Sequence, residues 1–389
     1  MWTCRPHLPE PDVTDFSQTA PARLATRLAF FAAGFAIAAW APLIPFAKAN
    51  VGADEALLGL LLLCLGLGSL IAMPVTGWVT AQKGARGMIL LGGYGLALVL
   101  PLLALAGSVA TLAVLLFIFG AVLGTIDVAM NVHAAEVERR EGRTLMSGFH
   151  AQFSLGAFAG SGVMTGLLSL GLLPAGAALL AGGLTFAATV VCHPRLMRRA
   201  QGTEPEPFVL PRGIVVLLAV LAGIMFLIEG AVMDWGALLL IEREMAETSG
   251  AGVGFMLFSL AMVVGRLTGD AVVARLGSFR VLVGGGLLTL AGVAVILLAP
   301  WPLLALAGFV LVGLGASNLV PLVFSAAGRQ EVMPAGPAIA AVTTVGYAGI
   351  LLGPAMIGVA AEAVSLPVAF WILGLLVLVV PLSARRVAG

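Results

Sequence analysis

The chain has 389 residues, of which 60% are hydrophobic and 10% are charged, and its formal net charge is +1. A water-soluble domain is excluded, because such domains carry about 25% charged residues. A transmembrane β-barrel is excluded as well, since its strands would alternate in polarity over about 10 residues, whereas apolar stretches of about 20 residues recur along nearly the whole chain. The composition therefore predicts an all-α membrane protein.

The N-terminal segment differs from the rest of the chain. Residues 1–22 hold four prolines and three acids and lack the apolar core of a secretory signal. We expect residues 1–22 to form a disordered cytoplasmic tail. The first apolar stretch then acts as an uncleaved insertion signal.

Apolar stretches separated by charge clusters and by Gly or Pro breaks predict twelve transmembrane helices. The longest hydrophilic connection follows the sixth helix and has the sequence HPRLMRRAQGTEPEPFVLPR. It divides the chain into an N-terminal six-helix bundle at 23–193, a cytoplasmic linker at 194–212 and a C-terminal six-helix bundle at 213–386. The helix centres are predicted near residues 35, 67, 97, 122, 157, 182, 227, 262, 288, 315, 348 and 375.

The distribution of Lys and Arg predicts the orientation, because positively charged loops stay in the cytoplasm. With both termini in the cytoplasm, only Lys48 and Arg243 among the cations outside the predicted helices face outward. The remaining cation, Arg266, lies within the eighth helix. We therefore expect a multi-pass protein of the cytoplasmic (inner) membrane with both termini inside.

The two halves repeat each other weakly. TGWVTAQKGARG, between the second and third helices, is echoed by TGDAVVARLGSFR between the eighth and ninth. Trp40 followed by APLI is echoed by Trp235 followed by GALL, and LGTIDV sets Asp127 opposite the Asn318 of LGASNLV. Offsets of 191 to 195 residues indicate one duplicated six-helix unit. The many glycines within the helices favour close helix packing over a nucleotide-binding loop.

The repeated loop resembles a motif of the major facilitator superfamily of secondary transporters. In that family a Gly is followed four residues on by an acid, and then by Gly and basic residues. The first copy retains Gly77, Gly84 and Arg86 but has Ala81 in the acidic place. The second copy has Gly269, Asp270, Arg275, Gly277 and Arg280. The resemblance covers about residues 23–386 and implies two six-helix bundles that rock about a central cavity, where repeat halves commonly bind solutes and ions.

A narrower resemblance is carried by DVAMN, VERREGRTLMSGFH and SLG. These segments are similar to a little-characterised inner-membrane branch near the sugar–proton symporters of the fucose permease group. Those symporters place an acid where Asp127 stands, a Gln where His150 stands and an acid in the first helix where this chain has Ala41. The resemblance implies a proton-coupled transporter with a changed substrate site.

Asp127 is the main functional candidate, because an ionised carboxylate at a helix centre costs about 2.5 to 3.5 kcal/mol on insertion scales unless it faces a cavity or a partner. At about 1.5 Å per residue from Glu138, it lies on the order of 16 Å from the cytoplasmic boundary, near the midplane. Asn131 lies one turn away on the same face, and His150 enters at a similar depth. We predict that Asp127 carries the coupling proton and that Asn131 and His150 bind substrate in the same polar pocket. The alternative for Asp127 is a hydrogen bond between helices.

Two further acids occur in the seventh helix, in FLIEGAVMDWG. Glu229 lies near the helix centre and is a second candidate for proton coupling. Asp234 is a substrate-binding candidate, with Trp40 and Trp235 expected to flank a substrate ring. The alternative for Asp234 and Trp235 is an anchor in the outer interfacial layer, which Trp favours.

Arg266 lies four residues before Asp270, a spacing at which opposite charges pair along a helix. We expect structural pairing of these two. If Arg266 instead faces Glu229 or the cavity, an anionic substrate is favoured.

The remaining polar residues are weaker candidates. Gln152, Asn318 and Tyr347 are expected to bind substrate, with helix–helix hydrogen bonds as the alternative. A structural or gating role is predicted for Gly77, Gly84, Arg86, Arg139, Arg140, Arg143, Arg266, Asp270 and Arg275.

The sequence thus favours a secondary active transporter of a small polar solute, sugar-like or an organic acid, coupled to protons. Alternatives are an exporter of amphipathic compounds and a membrane sensor that does not transport. An enzyme is disfavoured, because no nucleophile and base occur at matched depth. The expected partners are the solute, protons and the lipid bilayer. We expect a monomer with no cofactor, no metal and no nucleic acid.

Overall fold

The computed structural model describes residues 16–142, 145–197 and 210–388. Within these residues the chain forms helices and no strands. The all-α membrane fold is therefore confirmed. The N-terminal half consists of α1 (Phe16–Trp40), α2 (Ile44–Val51), α3 (Glu55–Lys83), α4 (Arg86–Ala104), α5 (Val109–Glu141), α6 (Met146–Ser169) and α7 (Pro174–Cys192).

The C-terminal half has the same plan with more interruptions. It consists of α8 (Ile214–Glu242), α9 (Val253–Leu276), α10 (Ser278–Leu298), α11 (Pro302–Ala316), α12 (Leu319–Arg329), α13 (Ala335–Ala363), α14 (Leu366–Leu376) and α15 (Val379–Ala388). The pairs α1 with α2, α11 with α12, and α14 with α15 each form one continuous apolar segment.

Ten segments of the described chain are long and apolar enough to cross a membrane. α9 contributes a shorter apolar segment, Val253–Gly269, and α6 lies outside this set. A multi-pass membrane protein follows from these lengths. The number of twelve spans stays a prediction.

The N-terminal tail ends earlier than the predicted boundary at residue 22. α1 begins at Phe16 and contains Pro21. Ala22 is fully buried, so packing of this turn against the bundle extends the helix beyond the predicted start. The rest of the predicted tail, 1–15, and most of the predicted linker, 198–209, lie outside the described residues.

Glycines bring α1 and α6 into backbone contact, as the sequence predicts for glycines within spans. A Cβ atom on Gly156 would overlap the carbonyl oxygen of Phe31, and one on Gly160 would overlap that of Phe35. The contact is reciprocal, because a Cβ atom on Gly34 would overlap the carbonyl oxygen of Phe153. These glycines hold the first helix of the bundle against a helix that borders the C-terminal half.

The two halves meet along two seams, α3 with α13 and α6 with α9. Near one end of the α6–α9 seam, Ser161 Oγ donates to the Gly252 carbonyl oxygen and Ser169 Oγ donates to that of Ser249, both at 3.3 Å. We call the end of the bundle that carries residues 41–54, 170–173 and 243–252 the sealed end. The opposite end, which carries the start of α1 and the end of α15, is the terminal end.

Burial along the first helix of each half shows where the passage opens. α1 is buried on every side from Ala32 to Trp40, whereas Leu24 and Arg27, nearer the terminal end, are exposed. In α8 the exposed Val216 and Val220 also lie nearer the terminal end. α1 packs against α4, α5, α6 and α7, and α8 packs against α9, α12, α13 and α14. Their burial is complete toward the sealed end and partial toward the terminal end, which indicates that the space between the halves opens toward the terminal end.

The glycine contacts generate a stability prediction. Gly156→Ala should lower the melting temperature of the purified protein, because the overlapped atom is backbone and cannot rotate away; overpacking of this kind costs about 1 to 3 kcal/mol. Gly166→Ala, on the same helix with no neighbour within 4 Å of the added carbon, is the matched control. Equal melting temperatures for the two variants would contradict the contact.

Candidate functional site

A hydrogen bond at mid-depth joins the two halves. The Tyr347 hydroxyl, on α13, donates to Asp127 Oδ2, on α5, at 3.1 Å. Both residues lie near the middle of long helices, and Asp127 is half-buried. The carboxylate therefore points into the space between the halves and away from lipid.

The neighbours of this bond are partly those that the sequence predicts. The Asn131 side chain is on the same face as Asp127, but its Nδ2 donates to the Asp127 backbone carbonyl at 2.9 Å and thus not to the carboxylate. The Phe226 ring lies 6.1 Å from the Tyr347 ring, centroid to centroid. Tyr347, which bonds to Asp127, therefore lies beside a second aromatic ring of the C-terminal half.

A second polar cluster surrounds Arg266. Its Nη2 lies 3.4 Å from Glu229 Oε2, on α8, and its Nη1 donates to Ser154 Oγ, on α6, at 3.2 Å. Three helices and both halves thus meet at one guanidinium. Contact between Arg266 and Glu229 is the alternative that the sequence left open. The expected pairing of Arg266 with Asp270 stays a prediction, because the Asp270 side chain lies outside the described atoms.

His150 and Gln152 lie on α6 close to this cluster. His150 is exposed, and its ring meets Phe30 edge-on at 5.2 Å. Ser154 Oγ donates to the His150 carbonyl oxygen at 3.4 Å. Gln152 is half-buried and has no hydrogen-bond partner among the described residues. The substrate-binding roles of His150 and Gln152 stay predictions.

Asn318 does not mirror Asp127 in its contacts. Its Nδ2 donates to the Gly265 carbonyl oxygen and to Ser317 Oγ, both at 3.1 Å. It therefore ties the break between α11 and α12 to α9. Asn318 therefore makes hydrogen bonds between helix segments, which the sequence analysis named as the alternative to substrate binding.

The structure encloses both tryptophans of the predicted substrate stack, and their role in binding stays a prediction. Trp40 and Trp235 are both 0% exposed, and neither indole N–H has a partner among the described atoms. Asp234 is 5% exposed and likewise has no described hydrogen bond, so an interfacial anchor is also excluded. The reason is the sealed end: Pro42, which follows Trp40, packs against Gly252 of the other half and closes the passage over these side chains.

The predicted gate arginines bind within their own helix. Arg139 Nη2 and Arg140 Nε donate to Glu136 at 2.7 and 2.6 Å. Glu138 accepts from the backbone N–H groups of Leu145 and Met146 and thereby caps α6. Arg143 lies outside the described residues.

The glycines Gly84 and Gly277 of the repeated loop motif are explained by their backbone conformation. Gly84 ends α3 with φ of 85° and Gly277 ends α9 with φ of 80°, values that favour glycine over other residues. Gly77 is half-buried within α3, Arg86 begins α4, and Arg275 lies in the last turn of α9, where a cation complements the helix dipole. The duplicated motif therefore builds the same turn twice.

His133 forms hydrogen bonds through both of its ring nitrogens. The Met197 N–H donates to its Nε2 at 3.0 Å, so Nδ1 carries the hydrogen and donates to Thr26 Oγ1 at 2.8 Å. The Thr26 hydroxyl then donates to the Ala22 carbonyl oxygen at 2.9 Å. This chain of bonds ties α1, α5 and the segment after α7 together. No signal in the sequence pairs these distant residues.

The comparisons with known proteins now identify the chain's relatives. The sequence model of the Major Facilitator Superfamily matches residues 27–331. The chain belongs to this superfamily. It is 49% identical over 366 residues to an uncharacterised MFS-type transporter of Yersinia pestis, covering 94% of this chain and 95% of that one. It is 36% identical over 371 residues to an uncharacterised transporter of Sinorhizobium fredii, covering 91% and 95%.

Among solved structures, a variant of the nucleoside transporter NupG superposes with a TM-score of 0.76 at 13% identity, covering 95% of this chain and all of that one. This likeness concerns the fold alone. Superfamily membership makes the chain a multi-pass membrane transporter of a small molecule and not an enzyme. The closer kinship with the fucose permease group stays a prediction.

The His133 bonds generate a second prediction. His133→Ala should lower the melting temperature, because the Met197 N–H loses its acceptor, and a buried polar group left unpaired costs about 1 to 3 kcal/mol. The Thr26 hydroxyl loses one bond and keeps its bond to the Ala22 carbonyl oxygen. His193→Ala removes an exposed ring near the same end and is the control. The bonding scheme would be contradicted if both variants melted at the wild-type temperature.

Proposed function

We propose that the chain is a secondary active transporter that moves a small polar solute across the cytoplasmic membrane and is coupled to protons through Asp127. The observation that carries the proposal is the hydrogen bond from Tyr347 to Asp127 across the two halves. Alternating access requires contacts of this kind to form and separate in each cycle.

Charge is the reason for coupling. When the passage closes around the bound solute, an ionised Asp127 carboxylate loses water and the conformational change becomes costly. A proton on Asp127 removes the charge. It also weakens the bond to Tyr347, since hydrogen bonds to ionised acceptors are roughly twice as strong as neutral ones. Protonation therefore lowers the barrier to separating the halves and to reopening on the other side.

The orientation and the moving parts complete the proposal. The Lys and Arg distribution supports cytoplasmic termini, so the passage described above is open to the cytoplasm. The rocking bodies are the bundles at 23–193 and 213–386, with 194–212 as their linker. One chain contains both halves of the passage, which supports a monomer as the working unit.

The polarity of the site supports a polar solute. Asp127, Glu229 and Arg266 lie at the interface of the halves, whereas an exporter of amphipathic compounds would use an aromatic, Met-rich cavity. A sensor with the same fold would bind its ligand without moving it. Flux measurements separate these two alternatives from symport.

The test is gradient-driven uptake into proteoliposomes, with a solute first found by a thermal-shift screen of sugars, organic acids and nucleosides. Asp127→Asn should reduce accumulation driven by an imposed pH gradient to the level of empty vesicles, because the proton step is removed. Counterflow exchange, which needs no net proton movement, should persist in part.

Asp54→Asn is the matched control. Asp54 is exposed and caps α3 through the Leu57 N–H, a role that Asn fulfils equally well. This variant should accumulate solute like the wild type. Full accumulation by Asp127→Asn would refute proton coupling at this residue, and binding without flux in the wild type would favour the sensor.

A further inference from the structure

We propose that Arg266 binds an anionic group of the transported solute, and that the solute is a carboxylate which replaces Glu229 on the guanidinium. The inference rests on the proposed transport function and adds a substrate class and a second proton. It is carried by the geometry of Arg266, Glu229 and Ser154.

The guanidinium of Arg266 is poorly satisfied. Arg has five N–H donors, and the described atoms offer Arg266 two contacts, at 3.4 Å from Glu229 and 3.2 Å from Ser154. These lie at or beyond the long end of the usual range for N–H···O bonds. Its side chain is 34% exposed, although it lies between the two halves. The remaining N–H groups of the Arg266 guanidinium therefore face the space between the two halves.

Other ion pairs of the same protein provide the comparison. Arg23 Nη1 lies 2.9 Å from Glu141 Oε2, and Arg139 Nη2 lies 2.7 Å from Glu136 Oε2. Both pairs are short and lie near the terminal end, the first between α1 and α5 and the second within α5. The pair at Arg266 is longer, although its carboxylate is also largely buried. Its looseness is therefore a local property of the central site.

Glu229 is also incompletely paired. Its Oε2 faces Arg266, whereas its Oε1 is buried and has no partner among the described atoms. A half-satisfied polar pair in a low-dielectric site is costly. A solute carboxylate that accepts two parallel N–H bonds from Arg266 makes a stronger and better-aligned contact. Ser154, on the other half, donates its hydroxyl hydrogen to the long 3.4 Å bond with the His150 carbonyl oxygen, and it would turn this hydrogen to the bound anion.

The charges of Arg266 and Glu229 determine how many protons bind together with one anion at this site. Before binding, Arg266 and Glu229 sum to zero. A bound carboxylate would leave one uncompensated negative charge between the halves, and a proton taken up by Glu229 restores neutrality. One anion and one proton therefore bind together, and no bond of the solute breaks. Because Ser154 belongs to the N-terminal half, the bound anion also links the two halves.

The test is a binding assay on the full chain in detergent. The probes are monocarboxylates of three to seven carbons and sugar acids such as gluconate, each compared with its primary amide. At concentrations up to about 10 mM, above usual transport and enzyme affinities, at least one acid should raise the melting temperature of the wild type. Its amide should not.

Two variants assign this effect to the site. Arg266→Gln should weaken binding of that acid by at least about 30-fold. Because it leaves Glu229 unpaired, this variant can fail to fold, so the double variant Arg266→Gln with Glu229→Gln, which removes both charges, is measured beside it. The double variant should fold and not bind. Glu229→Gln alone should bind the acid without proton uptake, and Arg385→Gln, at an exposed site on α15, should bind like the wild type.

Three results would overturn the inference: no acid in the panel stabilises the wild type, an acid and its amide bind equally, or the double variant retains binding. These are separable from failure of the proposed function. A neutral solute whose uptake still requires Asp127 would overturn anion recognition alone. Acid binding that depends on Arg266 without any flux would overturn transport alone.

Discussion

Charges inside a bilayer must be placed where they meet water or each other, and this constraint decides where the two halves of the molecule meet. Asp127 and Glu229 are carboxylates in the middle of long apolar helices, and Arg266 is a guanidinium in a third. Each would cost about 2.5 to 3.5 kcal/mol if it faced lipid. The fold turns all three toward the interface between the halves, where Tyr347 and Ser154 supply partners from the opposite half.

Ion pairs near the terminal end are shorter than the polar contacts between the halves in the middle of the bundle. Near the terminal end, Glu136 and Glu141 hold arginines at 2.6 to 2.9 Å. His133 uses both ring nitrogens to hold α1, α5 and the segment after α7. In the centre the bonds are at 3.1 to 3.4 Å and leave groups unsatisfied. Short ion pairs near the terminal end and longer contacts in the centre are the arrangement that the proposed rocking of the two halves requires.

The sealed end is closed by small residues. Hydroxyls of Ser161 and Ser169 bond to backbone carbonyl oxygens across the seam, and Gly252 lets Pro42 approach closely. Such contacts release without stranding a buried charge, which would cost several kcal/mol. The closure buries Trp40 and Trp235 at related positions of the two halves and leaves both indole N–H groups unpaired.

The apolar stretches by themselves determined the all-α membrane class, and the resemblance of the repeated loop motif indicated the superfamily. The cost of a carboxylate within an apolar helix singled out Asp127 and Glu229 as functional candidates. These features are local, because a segment of about 20 apolar residues must span the bilayer whatever surrounds it. The partners were decided only by tertiary structure. Tyr347 lies 220 residues from Asp127, and Arg266 lies 37 residues from Glu229 and 112 from Ser154. Separation in sequence also hid the role of His133 and the burial of Trp40 and Trp235. Which faces of the helices meet depends on the conformational state of the protein. The sequence is the same in every state, so it does not indicate which residues one state buries.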